Sequence, residues 1–193
     1  MRKVIVSNLM SLDGFIAGPK GELDWFVKEG FPMNTEFGEY AKGLISKVGG
    51  ILLGRLTYEE FLGYWPTATD NDPVITEKMN VLPKYVFSRT LDKVGWGRWK
   101  TVTLVRGDAA MEVQELKNQR GRDLVVYGSG SLVSTLLKAG LVDEVQLFVQ
   151  PVILGQGRPQ FKGLEGRYEL ELLKTTSFKS GAVGLFYKPS RTT

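Results

Sequence analysis

The sequence predicts an α/β fold whose central sheet is mostly parallel and mixed, carries helices on both faces and ends in an antiparallel C-terminal edge. The first observation is that short apolar segments alternate with segments of helical spacing over most of the 193 residues. Such alternation is typical of parallel strands joined by helical crossovers. The second is that residues 168–178 and 183–188 form two extended segments joined at Ser180 and Gly181, which predicts a closing hairpin. The length is that of one domain, residues 1–193.

The individual elements follow from local patterns. Before the final pair, apolar or alternating runs predict strands at residues 3–10, 51–53, 84–87, 101–105, 123–127 and 143–150. Helical spacing predicts helices at 34–48, 57–62 and 131–139, and another that Asp108 caps. Asn34 or Thr35 can cap the first of these helices, and Gly140 is suited to end the last. We expect a short helix or turn at 22–26 and a loop at 64–73.

Composition excludes several classes of protein. Cysteine and histidine are both absent, so there is no disulfide framework or thiol chemistry, and zinc and haem sites lose their usual ligands. We therefore expect no metal, and a proton donor must be a carboxyl group, Lys, Tyr or water. The net charge is +4 with basic and acidic residues intermixed, which argues against a nucleic-acid surface.

The N-terminal segment is typical of a strand rather than of a targeting signal. Arg2 and Lys3 precede an apolar stretch, but the polar residues Ser7, Asn8 and Asp13 interrupt it. No apolar run is long enough to span a bilayer. We therefore expect a cytoplasmic protein with no membrane partner.

Two glycine-rich turns carry the clearest chemical signal. Gly54-Arg55 follows one apolar strand and residues 128–131 (Gly-Ser-Gly-Ser) follow another, and each turn leads into a helix. Backbone N–H groups at such a turn and the positive end of the helix dipole form an anion site. Two such sites suggest a ligand with separated phosphates, such as a dinucleotide, and Gly130 is expected to leave room for phosphate oxygens. Each turn alone could be a simple strand-to-helix connection, because neither the Rossmann nor the Walker pattern is complete.

Two arginines at strand ends indicate which dinucleotide to expect. Arg55 and Arg89, with Ser88 beside the second, could clamp a phosphate monoester through the fork of the guanidinium group. No acidic residue stands there to bind a free ribose hydroxyl, so the sequence favours NADP over NAD.

The order of these motifs resembles that of the dihydrofolate reductase-like superfamily, and within it the reductase domain of the bifunctional riboflavin-biosynthesis deaminase/reductase. The resemblance covers nearly the whole chain and depends on six segments, at 11–14 (SLDG), 54–58 (GRLTY), 87–90 (FSRT), 126–130 (VYGSG), 141–144 (LVDE) and 151–155 (PVILG). It implies a three-layer dihydrofolate reductase-like fold and an NADPH-dependent oxidoreductase. Related domains are commonly dimeric, and an extended sheet edge near residues 143–150 and the final strand pair favours a homodimer.

The resemblance also implies roles for matching residues. In such proteins the first turn and the Ser-Arg segment hold the adenosine half of NADPH, which implies Gly54, Arg55, Thr57, Ser88 and Arg89. The Gly-Ser-Gly turn holds the pyrophosphate, which implies Gly128, Ser129, Gly130 and the amides of Ser131 and Leu132. The end of the first strand lies beside the nicotinamide, which implies Asn8, Ser11 and Asp13. The substrate would lie near Asp13, Glu22, Trp25 and residues 151–157.

The expected reaction is hydride transfer from NADPH to a C=O or C=N bond of a small heterocyclic or sugar-linked substrate, of the 5-amino-6-(5-phosphoribosylamino)uracil type. Asp13 and Glu22 are the predicted catalytic residues, which either order a water or donate a proton from a carboxyl whose pKa burial has raised. Alternatively, Asp13 could shape an Asp-Gly turn and Glu22 could stabilise a helix start.

One departure and two other functions remain open at this point. Riboflavin-pathway reductases carry Lys where this chain has Ser7, which puts a phosphorylated ribose substrate in doubt. The alternatives are a dihydrofolate reductase, in which Glu22 would bind the pterin, and a non-catalytic NADPH-binding or regulatory protein.

Overall fold

The structure is a computed structural model that describes residues 1–27 and 36–190. Its strands, in chain order, are β1 (Val4–Ser11), β2 (Phe15–Ala17), β3 (Gly50–Gly54), β4 (Lys84–Phe87), β5 (Val102–Val105), β6 (Leu124–Val126), β7 (Glu144–Gln150), β8 (Arg158–Pro159), β9 (Leu170–Ser177) and β10 (Val183–Pro189). Its helices are α1 (Asp24–Val27), α2 (Glu36–Lys47), α3 (Arg55–Tyr64), α4 (Pro73–Val81), α5 (Ala109–Asn118) and α6 (Gly130–Lys138), with a 3-10 turn at Trp65–Thr67.

Eight of the described strands form one sheet in the order β5-β4-β3-β6-β1-β7-β10-β9. The strands from β5 to β7 are parallel, whereas β10 pairs antiparallel with both β7 and β9. The short strands β2 and β8 form a separate antiparallel pair. The predicted fold class, a mostly parallel mixed sheet with an antiparallel C-terminal edge, is confirmed.

Helices cover both faces of the sheet because its central strands are apolar on both sides. Val4, Val6 and Val126 point to the face that α5 and α6 cover, where they pack with Val133 and Leu136. On the opposite face, a second cluster joins residues of β3, β4 and β6 to the helices α2, α3 and α4. The central parallel strands β1, β3 and β6 are consequently almost fully buried.

The aromatic residues of α2 cover the antiparallel part of the sheet. Phe148, Phe178 and Phe186 are buried there, and Phe37 and Tyr40 of α2 pack against them. The edge strand β9 lies outside this cover, since nearly all of its residues are exposed. None of the described helices is both long and apolar enough to cross a membrane.

The structure adds elements to those predicted and shifts the ends of others by one or two residues; α3, for example, spans Arg55–Tyr64 rather than 57–62. Helix α4 lies where no helix is predicted, because Asp72-Pro73 also fits a turn; here Asp72 caps a helix by accepting from the amides of Val74 (2.8 Å) and Ile75 (3.3 Å). The pair β2 and β8 is too short to leave a pattern in the sequence. Helix α2 ends at Lys47 rather than at 48, and its predicted caps at 34 and 35 lie outside the described residues.

Two predicted helix ends are confirmed. The Asp108 carboxylate accepts from the amides of Ala110 and Met111, both at 3.0 Å, and so caps α5. Gly140 follows α6 with a φ of +65°, the left-handed conformation that a glycine adopts without strain.

Candidate functional site

A cleft of about 1460 Å³ opens at the carboxyl ends of the parallel strands. It is larger than the 300–1,000 Å³ that most ligand pockets enclose, so it has room for two molecules side by side. Its lining includes all residues that the sequence predicts for cofactor binding, namely Asn8, Gly54, Arg55, Thr57, Ser88, Arg89, Gly128, Ser129, Gly130, Ser131 and Leu132. In the described part of the chain, no group of three or more acidic side chains could hold a metal ion.

The two glycine-rich turns are joined to each other through the Ser129 side chain. The amide of Gly54 donates to Ser129 Oγ (2.7 Å), which also lies 3.0 Å from Thr57 Oγ1. The amide of Ser129 donates in turn to Thr57 Oγ1 (3.1 Å). Ser129 has a φ of 53°, a left-handed conformation that is uncommon outside glycine and that these contacts hold in place.

Asn8 fixes the second turn from the neighbouring strand β1. Its Oδ1 accepts from the amide of Gly128 (2.6 Å), while its Nδ2 donates to the Gly128 carbonyl (3.3 Å) and to Gln160 Oε1 (2.8 Å). The amides of Gly54, Gly128 and Ser129 are therefore engaged within the protein. The expectation that these turn amides are free for phosphate is wrong for all three.

The amides at the start of α6, which include those of Ser131 and Leu132 that the resemblance implies for the pyrophosphate, are differently placed. The first helical bond of α6 runs from the amide of Val133 to the carbonyl of Ser129 (3.0 Å). The amides of Gly130, Ser131 and Leu132 consequently have no partner within their helix, and they lie at its positive end. An anion at this point of the cleft would meet several donors at once.

Gly130 has a different reason to be glycine from the one the sequence suggests. A Cβ at this position would lie 2.5 Å from the Pro159 carbonyl oxygen and 2.9 Å from that of Gln160. The expectation that Gly130 mainly leaves room for phosphate is corrected, because the missing side chain lets α6 pack against the backbone of Pro159, the last residue of β8, and of Gln160.

Three arginines line the cleft beyond the ends of β3, β4 and β5, and we call this part the arginine end: Arg55, Arg89 and Arg106. Arg55 forms an exposed ion pair with Glu59 on its own helix (3.2 Å). Ser88 Oγ accepts from the amides of Thr90 (3.2 Å) and Leu91 (3.1 Å), so this hydroxyl shapes its own turn. Sequence reasoning missed Arg106, although a cation directly after a strand was the signal that identified the other two.

The opposite part of the cleft is lined by neutral polar groups and aromatic rings. We call it the hydroxyl end and define it by Ser7, Tyr40, Tyr127 and Gln146, of which the first three line the cleft. Burial raises the pKa of the Tyr127 phenol. Burial, with smaller contributions from Glu144 and Tyr127, likewise raises the pKa of Tyr40. Both phenols therefore stay protonated at physiological pH.

The two predicted catalytic carboxylates do not line the cleft. Asp13 is exposed and accepts from the amides of Leu154 (3.1 Å) and Gly155 (2.7 Å). Partial desolvation would raise its pKa, but hydrogen bonds from Ser11, Leu154 and Gly155 together lower it. Asp13 therefore fastens the segment after β7 to the end of β1, and a proton donor with a raised pKa is not what the structure has at this position.

Glu22 is also exposed and turns back onto its own loop. The hydrogen bond from its own amide lowers its pKa more than desolvation raises it, and the amide and charge of Lys20 and the charge of Arg158 lower it further. Its Oε2 accepts from the amide of Lys20 (2.8 Å), and its carbonyl accepts from Trp25 Nε1 (3.2 Å). The expectation of a carboxyl whose pKa burial raises is wrong here too. Trp25 and residues 151–157 likewise lie outside the lining.

A different carboxyl group does line the cleft. Glu60 on α3 is about half-buried, and desolvation raises its pKa although the neighbouring Arg158 opposes the shift. Its Oε1 lies 2.7 Å from Nη1 of Arg158, the first residue of β8. Sequence reasoning missed this pair, because its members are 98 residues apart and only the packing of β8 near α3 brings them together.

Comparison with known proteins agrees with this geometry. Residues 2–183 match the family model described as the RibD C-terminal domain. The uncharacterized protein YyaP of Bacillus subtilis (strain 168) is 34% identical over 191 residues, which cover 96% of this chain and 94% of that protein. A crystal structure of a Shewanella sp. PV-4 protein, provisionally assigned to riboflavin biosynthesis, has a TM-score of 0.79 at 28% identity and covers 98% of this chain and 99% of that one.

A more distant structure shows the fold alone. Dihydrofolate reductase from Enterococcus faecalis, complexed with NADP(H) and RAB-propyl, has a TM-score of 0.64 at 13% identity and covers 97% of this chain and 96% of that one. The predicted dihydrofolate reductase-like fold is thereby confirmed. Since the family match extends over nearly the whole chain that builds the cleft, the protein belongs to the RibD C-terminal domain family.

Proposed function

We propose that this protein is an NADPH-dependent reductase that transfers a hydride to a C=O or C=N bond of a small heterocyclic substrate. The observation that carries the proposal is the cleft itself, in which two helix starts and three arginines face one end and neutral polar groups the other. Membership of the RibD C-terminal domain family supports the oxidoreductase class, because the sequence motifs resemble those of the reductase domain of the bifunctional riboflavin-biosynthesis enzyme.

The arginine end and the start of α6 suit different parts of NADPH. The unpaired amides at the start of α6 suit the pyrophosphate, with Gly128 and Ser129 shaping the turn and Asn8 holding it. Arg55 and Arg89 suit a phosphate monoester on the ribose, since a guanidinium fork binds two oxygens at once. NADPH bound here would supply the hydride.

We assign the delivery of the proton to Glu60, directly or through one water. A general acid works best when its pKa is raised toward the working pH, and Glu60 is the described carboxyl in the cleft lining whose pKa is raised. The predicted catalytic roles of Asp13 and Glu22 stay predictions, and their exposed positions and lowered pKa favour loop positioning instead. The turned-back Glu22 gives no support to a pterin site or to a dihydrofolate reductase.

We also propose that the protein works in the cytoplasm as a homodimer. The absence of cysteine is compatible with a reducing compartment. The edge strand β9 exposes Leu172 (53%) and Leu173 (49%), and an exposed apolar edge favours pairing with a second copy. Light scattering at micromolar concentration should give twice the chain mass, and a monomer mass would contradict the dimer.

The proposed function is tested by titrating the protein with NADPH and NADH and following the quenching of Trp fluorescence. We expect NADPH to bind about tenfold more tightly, because charge-assisted hydrogen bonds contribute about 1.5–3 kcal/mol. NADPH oxidation should then follow with at least one member of a panel of pyrimidines, dihydrofolate and quinones. Equal affinities would remove the preference for NADPH, and binding without turnover would favour the non-catalytic alternative.

A further inference from the structure

The hydroxyl end contains a row of polar side chains across an otherwise apolar face of the sheet. Strands β1 and β6 pair as far as Val6 and Val126, so Ser7 comes beside Tyr127 in the same register. On its other side Ser7 pairs with Gln146 of β7. Residues in register share a face, and this face is the one beneath α2, from which Tyr40 reaches Gln146.

Only some of the polar groups in this row have a hydrogen-bond partner among the described residues. The Tyr40 hydroxyl donates to Gln146 Oε1, and Gln146 Nε2 donates to Glu144 Oε1 (2.7 Å). The side-chain amide of Gln146 is therefore fixed in orientation. The Tyr40 hydroxyl can accept a further hydrogen bond but has no proton left to donate. The hydroxyls of Ser7 and Tyr127 form no hydrogen bond with the described residues, and both side chains line the cleft. Each can donate to a ligand and accept from it.

Two charged groups border this row: the Glu144 carboxylate, which accepts from Gln146 Nε2 (2.7 Å), and the Lys174 ammonium. The cations of the cleft lining lie elsewhere or are already paired. Among the described residues of the lining, Arg55, Arg89 and Arg106 belong to the arginine end, Arg158 is paired with Glu60, and Lys162 is exposed after β8. Beyond the lining, Lys174 lies on the exposed strand β9 with its Nζ 4.3 Å from the Phe186 ring centroid and 6.0 Å from that of Tyr40. In the register of the sheet, Phe186 and Gln146 stand between Lys174 and Ser7. A phosphate placed beside Ser7 would lose water without gaining a charged partner, which is costly.

The shape of this end suits a flat ring. Phe61 of α3 lies between Tyr127 and Trp65, with ring centroids 6.1 Å and 6.2 Å from its own. Together with Tyr40, these rings line the part of the cleft between α2 and α3. Aromatic walls with a polar edge at one side are suited to a planar heterocycle that carries its own donors and acceptors.

We infer that the substrate is an uncharged planar heterocycle without a phosphate. Its carbonyl and N–H groups form hydrogen bonds with the hydroxyls of Ser7 and Tyr127. This inference rests on the proposed function, because it assumes that a nucleotide fills the arginine end. Ser7 and Tyr127 are then the residues that determine specificity. A substrate carrying a ribose phosphate would be disfavoured, because no cation in the part of the chain that the structure describes stands beside Ser7 to bind the phosphate.

Calorimetric titration of the protein saturated with NADPH tests the inference, since the nucleotide then occupies the arginines. The probes are lumazine and the matched pair uridine and uridine 5′-monophosphate. Lumazine and uridine should bind, and the monophosphate should bind at least tenfold more weakly than uridine. Tyr127→Phe and Ser7→Ala should each weaken lumazine by roughly 3- to 10-fold, the size of one neutral hydrogen bond. Ser7→Lys should reverse the preference within the matched pair.

Tyr127→Phe keeps the ring and should fold normally, so circular dichroism of this variant separates lost binding from lost structure. Tighter binding of the monophosphate than of uridine overturns the inference, as does binding of none of the three probes. Unchanged lumazine affinity in both Ser7→Ala and Tyr127→Phe also overturns it. NADPH affinity is measured first on the same samples, so absence of NADPH binding marks a failure of the proposed function itself.

Discussion

The two ends of the cleft differ in charge and in how the chain builds them. The arginine end consists of the turns and the loop that follow β3, β4 and β5, in which neighbouring residues such as Ser88 and Arg89 supply the polar groups. The hydroxyl end takes Ser7 and Gln146 from the strands β1 and β7, Tyr127 from the position after β6 and Tyr40 from helix α2, and these four side chains carry no charge. The difference indicates that one end is suited to a charged ligand held by local geometry, and the other to a neutral ligand held by the register of the sheet.

The two ends are nevertheless joined through Asn8. This residue follows Ser7 on β1 and holds the turn at Gly128 through both atoms of its side-chain amide. A ligand that moved the Gly128 turn would therefore strain the strand that carries the polar row. Variants at each end can test how far the ends are separate.

The largest expected effect concerns the source of the proton, which we assign to Glu60 inside the cleft. We expect Glu60→Gln to lower the rate of NADPH oxidation by about 10²-fold or more, since acid–base groups contribute 10²–10⁴-fold. Gln can still accept from Arg158, so the pair keeps its geometry. Single-turnover oxidation of bound NADPH measures the effect.

The matched controls are Asp13→Asn and Glu22→Gln, which remove exposed carboxylates of lowered pKa. Both should stay within about threefold of the wild-type rate, well below an acid–base contribution. A 10²-fold loss in Asp13→Asn with a normal Glu60→Gln would return the catalytic role to Asp13.

The next largest expected effect is on stability, at the close contact between α6 and β8. Gly130→Val would force a side chain into the carbonyls of Pro159 and Gln160, and overpacking costs about 1–3 kcal/mol. We expect a melting temperature several degrees lower. Gly63→Ala in α3 meets open space and should not destabilise the protein. Normal stability with lost NADPH affinity in Gly130→Val would mean that the glycine serves the phosphate after all.

The sequence predicted the arginine end better than the hydroxyl end for a physical reason. Turn chemistry is local, so Gly54, Gly128 and the arginines are recognisable from their neighbours along the chain. The Glu60–Arg158 pair and the row at Ser7 depend on contacts between distant segments. The local sequence at Asp13 does not distinguish its possible roles, because an Asp-Gly turn at the end of a strand has the same pattern whether the carboxylate contacts a substrate or accepts from loop amides, as it does here.

For the fold, too, the features that are local along the chain were predicted, and those that depend on packing were not. Strands β3 to β7 and the cap at Asp108 follow from periodicity and capping rules. Helix α4 was missed because Asp-Pro begins either a turn or a helix, and only the burial of Ile75 and Met79 decides between them.

A buried lysine away from both ends provides a stability reference. Desolvation lowers the pKa of Lys84 to about 7, and its ammonium donates to the carbonyls of Asn80 (3.0 Å) and Leu82 (2.8 Å) with no carboxylate nearby among the described ion pairs. Between pH 7 and about 10 the unfolded chain holds this proton and the folded protein does not, so the free energy of unfolding rises with pH.

Lys84→Met should reduce this rise by at most about 1.4 kcal/mol per pH unit, because it removes one titrating group. Urea unfolding of wild type and variant at several pH values measures the difference in slope. NADPH affinity should not change, since Lys84 lies at the amino end of β4 and the cleft lies at the carboxyl ends of the parallel strands. Parallel slopes would mean that Lys84 keeps its proton in the folded protein.

The smallest effect sharpens the assignment of the arginine end. Arg55 forms an ion pair with Glu59, and the two side chains are 44% and 42% exposed. A phosphate would have to compete with this carboxylate, and exposed ion pairs contribute about 0.2–1 kcal/mol. Glu59→Gln should therefore raise NADPH affinity about two- to fivefold and leave NADH affinity unchanged. Glu115→Gln, an exposed position on α5, makes the same change of charge away from Arg55 and should alter neither affinity. If Glu59→Gln raised both affinities equally, Arg55 would act on the pyrophosphate rather than on the phosphate that distinguishes the two nucleotides.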